Sequence, residues 1–134
     1  MSSYLNILTT DILINLLILF LIRKYTIMAT NGRLGKGVIS ANTEVTMATL
    51  DSNISYASVQ IIIANRSSTD TAKVKLLVCE GTSTSTDADV IDPGTELPPN
   101  SVYMNNVVLA SAGESFRVHS DKGNLTYRIA GISK

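Results

Sequence analysis

The stretch 56–80, YASVQIIIANRSSTDTAKVKLLVCE, decides the fold. Ala57, Val59, Ile61 and Ile63 recur at every second position, with Ser58, Gln60 and Ile62 between them. Val74, Leu76 and Val78 repeat the pattern, and Lys73 and Lys75 take the alternate positions. A period of two sends the two sets to opposite sides of a pleated strand, so each run is expected to bury one face and wet the other. The interval 65–71, Asn-Arg-Ser-Ser-Thr-Asp-Thr, is wholly polar and reads as the exposed loop of an antiparallel hairpin.

The same alternation between short apolar runs and turn residues extends from Glu44 to the end of the chain. GTSTSTDAD at 81–89 carries no apolar side chain larger than Ala and is expected to be a surface loop. A short strand follows at Val90 and Ile91 before Pro93-Gly94 turns the chain. Leu97-Pro98-Pro99-Asn100 is another loop, because a proline pair cannot join a ladder. Runs at 101–109, 115–120 and 125–132 complete a set of about seven strands with no amphipathic helix among them. The fold class expected is all-β, an antiparallel β-sandwich of immunoglobulin-like or jelly-roll-like arrangement. Its core is assigned to Val45, Met47, Val59, Ile61, Ile63, Val74, Leu76, Val78, Val102, Val107, Leu109, Phe116, Val118, Leu125, Tyr127 and Ile129. Ile62, Leu77, Cys79, Tyr103 and Val108 fall on the opposite faces, which offers apolar surface to a neighbour.

Residues 1–27, MSSYLNILTTDILINLLILFLIRKYTI, have a different composition, with no Gly, Ala, Val or Pro. They read as translated AT-rich sequence ahead of a start at Met28. Leu and Ile dominate without a breaker, so a helix is expected over 4–25. The apolar run 12–22 is interrupted by Asn15 and closed by Arg23 and Lys24; a membrane span needs about 20 apolar residues, and extension backward takes in Asp11. Membrane contact is therefore expected only if 1–27 is translated and inserted. A secretory signal fits worse, because the positive charges follow the apolar run. The organisation expected is an apolar helical segment at 1–27, a Gly-rich arm at 28–43 and a β-sandwich domain at 44–134.

The chain of 134 residues carries 11 basic and 11 acidic groups, so it lacks the positive excess of a nucleic-acid binder. One Cys excludes an intrachain disulfide framework and a cysteine-rich zinc site. Gly32-Arg33-Leu34-Gly35-Lys36-Gly37 looks like a phosphate cradle, but its spacing is wrong, Gly37 replaces the hydroxyl residue and strands follow; it reads as a flexible basic arm. Asp87, Asp89 and Asp92 depart from the calcium-loop pattern at 91 and 92 and read as a solvated turn. His119 has no partnering nucleophile, and Cys79 no activating neighbour. Asn53-Ile54-Ser55, Asn65-Arg66-Ser67 and Asn124-Leu125-Thr126 match a glycosylation pattern expected by chance in a Ser/Thr-rich chain. No catalytic, cofactor-binding or metal-ligating residue is assigned.

The order of NGRLGKGVIS at 31–40, VQIIIANRSS at 59–68, AKVKLLV at 72–78, LPPNSVYMNNVVLASAGESFRVHSD at 97–121 and NLTYRIAGI at 124–132 resembles a family of small virion structural proteins of tailed bacteriophages. The likeness lies in turn chemistry and strand spacing. It implies a virion component with a structural or surface-display role and no chemistry; the reading drawn from it is a non-enzymatic capsid- or tail-associated protein that packs against other virion proteins and its own copies, with no cofactor, while the balanced charge sets nucleic acid aside and membrane contact depends on 1–27. Arg33, Lys36, Ile62, Leu77, Tyr103 and Val108 are the interface candidates. Two alternatives stand beside it: a host-surface glycan-binding module using Tyr56, Tyr103 and Tyr127, and a membrane-anchored β domain if 1–27 is genuine.

Overall fold

The alternating runs around Ile61 and Leu76 form two strands, as expected, but the strands do not pair with each other. A computed structural model describes residues 13–17 and 30–134, apart from the side chains of residues 30, 31, 107 and 109. Within it lie β1 (Thr30–Ile39), β2 (Thr43–Thr49), β3 (Tyr56–Asn65), β4 (Ala72–Glu80), β5 (Val90–Leu97), β6 (Val102–Ser111), β7 (Glu114–Ser120) and β8 (Leu125–Ser133). One sheet has the order β1-β8-β3-β6 and the other β2-β7-β4-β5, with every pairing antiparallel. The chain is thus nested: first strand on last, second on seventh, third on sixth and fourth on fifth.

This nesting corrects the hairpin expected at 56–80, because β3 and β4 belong to opposite sheets. Their apolar faces meet across the interior instead of lying side by side. Val59, Ile61 and Ile63 from β3 and Val74 and Leu76 from β4 join Phe116, Val118, Leu125 and Ile129 in one buried cluster. Asn65 turns the chain between the sheets: its Nδ2 donates to the carbonyls of Asp70, Leu97 and Pro98, and its Oδ1 accepts from the Ser67 N–H. A buried amide with its donors satisfied marks a structural corner, not an exposed loop start.

Residues expected as a Gly-rich arm form edge strand β1, paired along β8. Ile39 is buried at its end, and Leu34 packs on the core from a bulge between Arg33 and Gly35. Pro93-Gly94 does not end a strand either. β5 runs through it as an irregularity opposite Val74 and Leu76, which an edge strand allows because its outer N–H groups need no partner. Among the described residues there are therefore eight strands where about seven were expected.

The pairing of β6 with β3 corrects the reading of β6, which also carries a register shift. Val59 pairs with Val108 but Ile61 pairs with Asn105, so β6 carries one extra residue and its inward and outward positions exchange there. Val102 is 60% exposed in place of its expected core position, and Val108 is buried. The side chains of Val107 and Leu109 lie outside the described residues. So does most of the helix expected over 4–25: a short helix is described at 13–17, and a continuous one is not supported. No helix among the described residues is long and apolar enough to cross a membrane.

Candidate functional site

Two sheets have two outer faces, and the chain treats them differently. On the β2-β7-β4-β5 sheet, Leu77, Cys79, Ser115 and Arg117 share the outward positions of β4 and β7, yet all four are buried. The 81–89 connection accounts for this by closing over that face. The Arg117 guanidinium donates from Nη2 to the Gly81 carbonyl at 2.7 Å and from Nη1 to the Ser83 carbonyl at 2.7 Å. It also donates from Nε to Ser115 Oγ and from Nη1 to Glu44 Oε1, the latter an ion pair at 3.0 Å. Ser85 donates to the other Glu44 oxygen at 2.6 Å. That hydrogen bond outweighs burial and, together with Arg117, holds the Glu44 carboxyl below its ordinary value. Burial pushes the Cys79 thiol up, as expected of an inert buried cysteine.

The outer face of the β1-β8-β3-β6 sheet carries no such cover among the described residues. Register places Val38, Thr126, Ala64 and Val102 in one row across it, and Lys36, Arg128, Ile62 and Met104 in the next. Arg33, Ala130 and Gln60 form a third, where Gln60 Nε2 donates to Asn106 Oδ1. Met104 is 58% exposed and Ile132 52%. Five of the six large apolar side chains exposed on 30–134 lie on these four strands: Val38, Tyr56, Val102, Met104 and Ile132. A shallow depression of about 400 Å³ lies between Ser58, Gln60, Asn106, Ala130, Gly131 and Ile132, where small side chains lower the surface. The exposed apolar side chains spread over all four strands, and Arg33, Lys36 and Arg128 lie on β1 and β8.

The interface candidates separate accordingly. Arg33, Lys36 and Ile62 share this face, the two cations being exposed and Ile62 half-buried. Leu77 and Val108 are buried, which corrects their expected exposure; the first lies under the 81–89 connection and the second points inward opposite Val59 of β3. Tyr103 points inward opposite Ile63 and reaches the facing sheet edge. Its hydroxyl donates to Asp92 Oδ2 at 2.5 Å, and that carboxylate also accepts from the Thr95 hydroxyl and the Gly94 N–H. Arg128, Val102 and Met104 are the members of the face that periodicity missed, and the pairing of β6 with β3 identifies the two on β6.

Burial, and then the hydrogen bond to Asp92, push the Tyr103 hydroxyl up to about 12. Burial also works to raise Asp92, but bonds from Tyr103, Thr95 and Gly94 outweigh it and leave that carboxyl below its ordinary value. A raised tyrosine contributes stability that is complete below its unfolded value near about 10 and is lost as pH rises through about 12. A lowered carboxyl contributes stability above its unfolded value and loses it as pH falls through the folded one. Tyr103→Phe is therefore expected to cost about 1–2 kcal/mol near neutral pH. The gap to the parent should narrow on acidification below the ordinary carboxylate range. Urea unfolding at stepped pH checks this, and a gap independent of pH would contradict it.

The three carboxylates of 87–92 do not converge. Asp89 accepts from the Thr86 N–H across the 3-10 turn Asp87–Asp89, and Asp92 serves Tyr103. No cluster of three or more metal-ligating side chains exists among the described residues. His119 lies half-buried beside Lys75 and Glu44 in the ladder. Two of the three glycines of 32–37 serve packing: a Cβ on Gly35 would lie 2.2 Å from the Met47 carbonyl oxygen, and one on Gly37 would meet the Tyr127 ring at 2.8 Å, whereas Gly32 has open space around it and a φ of 98°.

No protein-family model matches the sequence, and no curated protein is significantly similar to it. Among solved structures, a chain of the T13 IBDV viral particle superposes with a TM-score of 0.45 at 8% identity, covering 78% of this chain and 30% of that one. This chain thus spans under a third of that chain's length.

Proposed function

We propose that this protein is a non-enzymatic structural subunit of a virion, a bacteriophage capsid- or tail-associated module that acts by packing against other virion proteins. The observation that carries the reading is the strand order. The nested pairing of first with last and second with seventh in two four-stranded sheets is a jelly roll, an arrangement used by viral capsid and lectin domains. A fold hosts many functions, so the site has to support the choice. Here it does so by contrast: one outer face is closed by the chain's own 81–89 connection, and the other presents apolar side chains to whatever lies outside. Of the ionisable groups with displaced pKa values, Glu44, Asp92 and Tyr103 are tied into structural bonds, Glu44 to Arg117 and Asp92 to Tyr103, and the Cys79 thiol is buried.

The glycan-binding alternative draws less support. Tyr103 is engaged with Asp92 and Tyr127 packs on the core, which leaves Tyr56 as the exposed ring among the described residues. Purified particles, separated into heads and tails and read by peptide mass spectrometry, test the proposal. Peptides of 30–134 at a fixed ratio to the major particle protein in one fraction are expected. Their absence from both fractions would overturn it.

A further inference from the structure

We infer that the outer edge of β6 pairs antiparallel with the same edge of a second copy of this chain, about a two-fold axis at Tyr103, joining two four-stranded sheets into one of eight. The inference extends the packing role proposed above by naming an occupant, and the sheet edges carry it. The two sheets end in four edge strands, β1, β6, β2 and β5. An unpaired edge invites another strand, and charges, prolines, bulges and short length are what keep strands apart. β1 carries Arg33, Lys36 and a bulge between Arg33 and Gly35. β2 is seven residues long, with Glu44 and a register shift between Thr46 and Ala48. β5 carries Asp92, Pro93 and Glu96. β6 is ten residues long and holds neither a charge nor a proline. Its bulge falls between Asn105 and Val108, which leaves 102–105 regular.

The backbone of that regular stretch selects the register. Tyr56 exchanges both backbone bonds with Lys134 just past β8, and the Asn65 N–H donates to the Ser101 carbonyl just before β6. Direction alternates by residue in an antiparallel ladder, so along β3 the even-numbered residues bond to β8 and the odd-numbered ones to β6. Tyr103 and Asn105, opposite Ile63 and Ile61, therefore spend their N–H and C=O groups on β3. Val102 and Met104, opposite Ala64 and Ile62, direct theirs away from it, and no bond among the described residues takes them. Pairing centred on Tyr103 sets Val102 against Met104 of the second copy and Met104 against its Val102, with two bonds to each pair. The side chains agree: Val102 and Met104 are 60% and 58% exposed, and the seam buries them together beside Ile62. Charge does not oppose it, since across the joined sheet the β8 strands that carry Arg128 stand about 24 Å apart and the β1 strands about 34 Å, beyond the Debye length. On the facing sheet Asp92 is bonded to Tyr103, Thr95 and Gly94, and Glu96 lies opposite Lys73. A two-fold seam of this kind closes at the dimer. So short a seam is reversible in solution and gains permanence where copies are held side by side on a particle.

Amide exchange read by NMR on the full chain over a concentration series, with sedimentation velocity alongside, tests this. The Met104 amide is expected to gain protection by about 10-fold or more as monomer gives way to dimer, while the Tyr103 amide, already bonded to β3, changes little. Met104→Pro removes an outward N–H that the fold does not use, so it should abolish the dimer while melting close to the parent. Should that variant fail to fold, Val102→Lys carries the test: it puts a cation at an exposed edge position and should weaken the dimer by about 10-fold or more. Adding Met104→Glu to Val102→Lys in one chain should restore the dimer, because the axis at Tyr103 brings each new charge against its opposite. A monomeric parent, growth past the dimer, a dimer that survives Met104→Pro, or a double variant no tighter than Val102→Lys would each overturn the inference. Detection in particles alongside a monomeric parent would remove this contact and leave the virion role standing.

Discussion

Arg117→Ala is expected to destabilise the folded chain by about 3 kcal/mol and to free the 81–89 connection from the sheet beneath it. The size follows from what the guanidinium leaves behind. Its five donors serve two backbone carbonyls, one hydroxyl and one carboxylate, and the residue itself is 7% exposed. Truncation strands the carbonyls of Gly81 and Ser83 over a face that also holds Leu77 and Cys79. The ion pair is the smaller share: Glu44 is 31% exposed, so water replaces much of what Arg117 supplied. The loop can lift and hydrate its carbonyls, which keeps the loss near the low end for a broken buried pair and turns it into a local opening. Amide exchange should accelerate across 81–89 more than in β3 or β8, and the urea midpoint should fall. Glu44→Gln, which keeps an acceptor for Arg117 Nη1, should cost about 1 kcal/mol. Arg117→Lys should not rescue, because an ammonium lacks the planar fork that spans two carbonyls and the Ser115 hydroxyl. Parent-like exchange at 81–89 in Arg117→Ala would show that the connection is held by other contacts.

Much of the sandwich was legible in the chain because period-two alternation is a local property. Val59, Ile61, Ile63, Val74, Leu76, Phe116, Val118, Leu125 and Ile129 are buried where alternation places them. What alternation does not carry is pairing. Nothing in 65–71 distinguishes a hairpin loop from a crossing between sheets; the difference lies in the contacts of Asn65 with Leu97 and Pro98, more than thirty residues away. The phase of β6 is equally silent. The expected core positions Val102, Val107 and Leu109 already change phase once along β6; pairing with β3 sets Tyr103 opposite Ile63 and Val108 opposite Val59, so the expected phase is reversed on both sides of the bulge. The candidate face was therefore half legible. Arg33, Lys36 and Ile62 were found, whereas Arg128, Val102 and Met104 required the register. Arg117 was invisible, since an arginine between Phe116 and Val118 has the alternation of an exposed residue and is buried by a loop that reads as solvated.

Gly35→Ala is expected to cost about 3 kcal/mol, the upper end for overpacking, because the obstacle is backbone. A Cβ there would lie 2.2 Å from the Met47 carbonyl oxygen and 3.1 Å from Ile129 Cγ2. No rotamer change moves a carbonyl, and Met47 sits at its own register irregularity in β2, facing the bulge of β1 across the sandwich edge. Relief requires β1 to part from β2, and β1 is an edge strand held on one side by β8. Gly37→Ala, two residues on, meets only the outer part of the Tyr127 ring and should cost about 1 kcal/mol, since that side chain can swing. Urea midpoints for the two variants measure the contrast, and equal midpoints would refute the close-approach account of Gly35. The pair also separates two explanations of the glycine-rich run. If its glycines served a bound anion, Gly35→Ala would lose phosphate affinity at parental stability. If they serve the edge, amide exchange should quicken along the β1–β8 ladder.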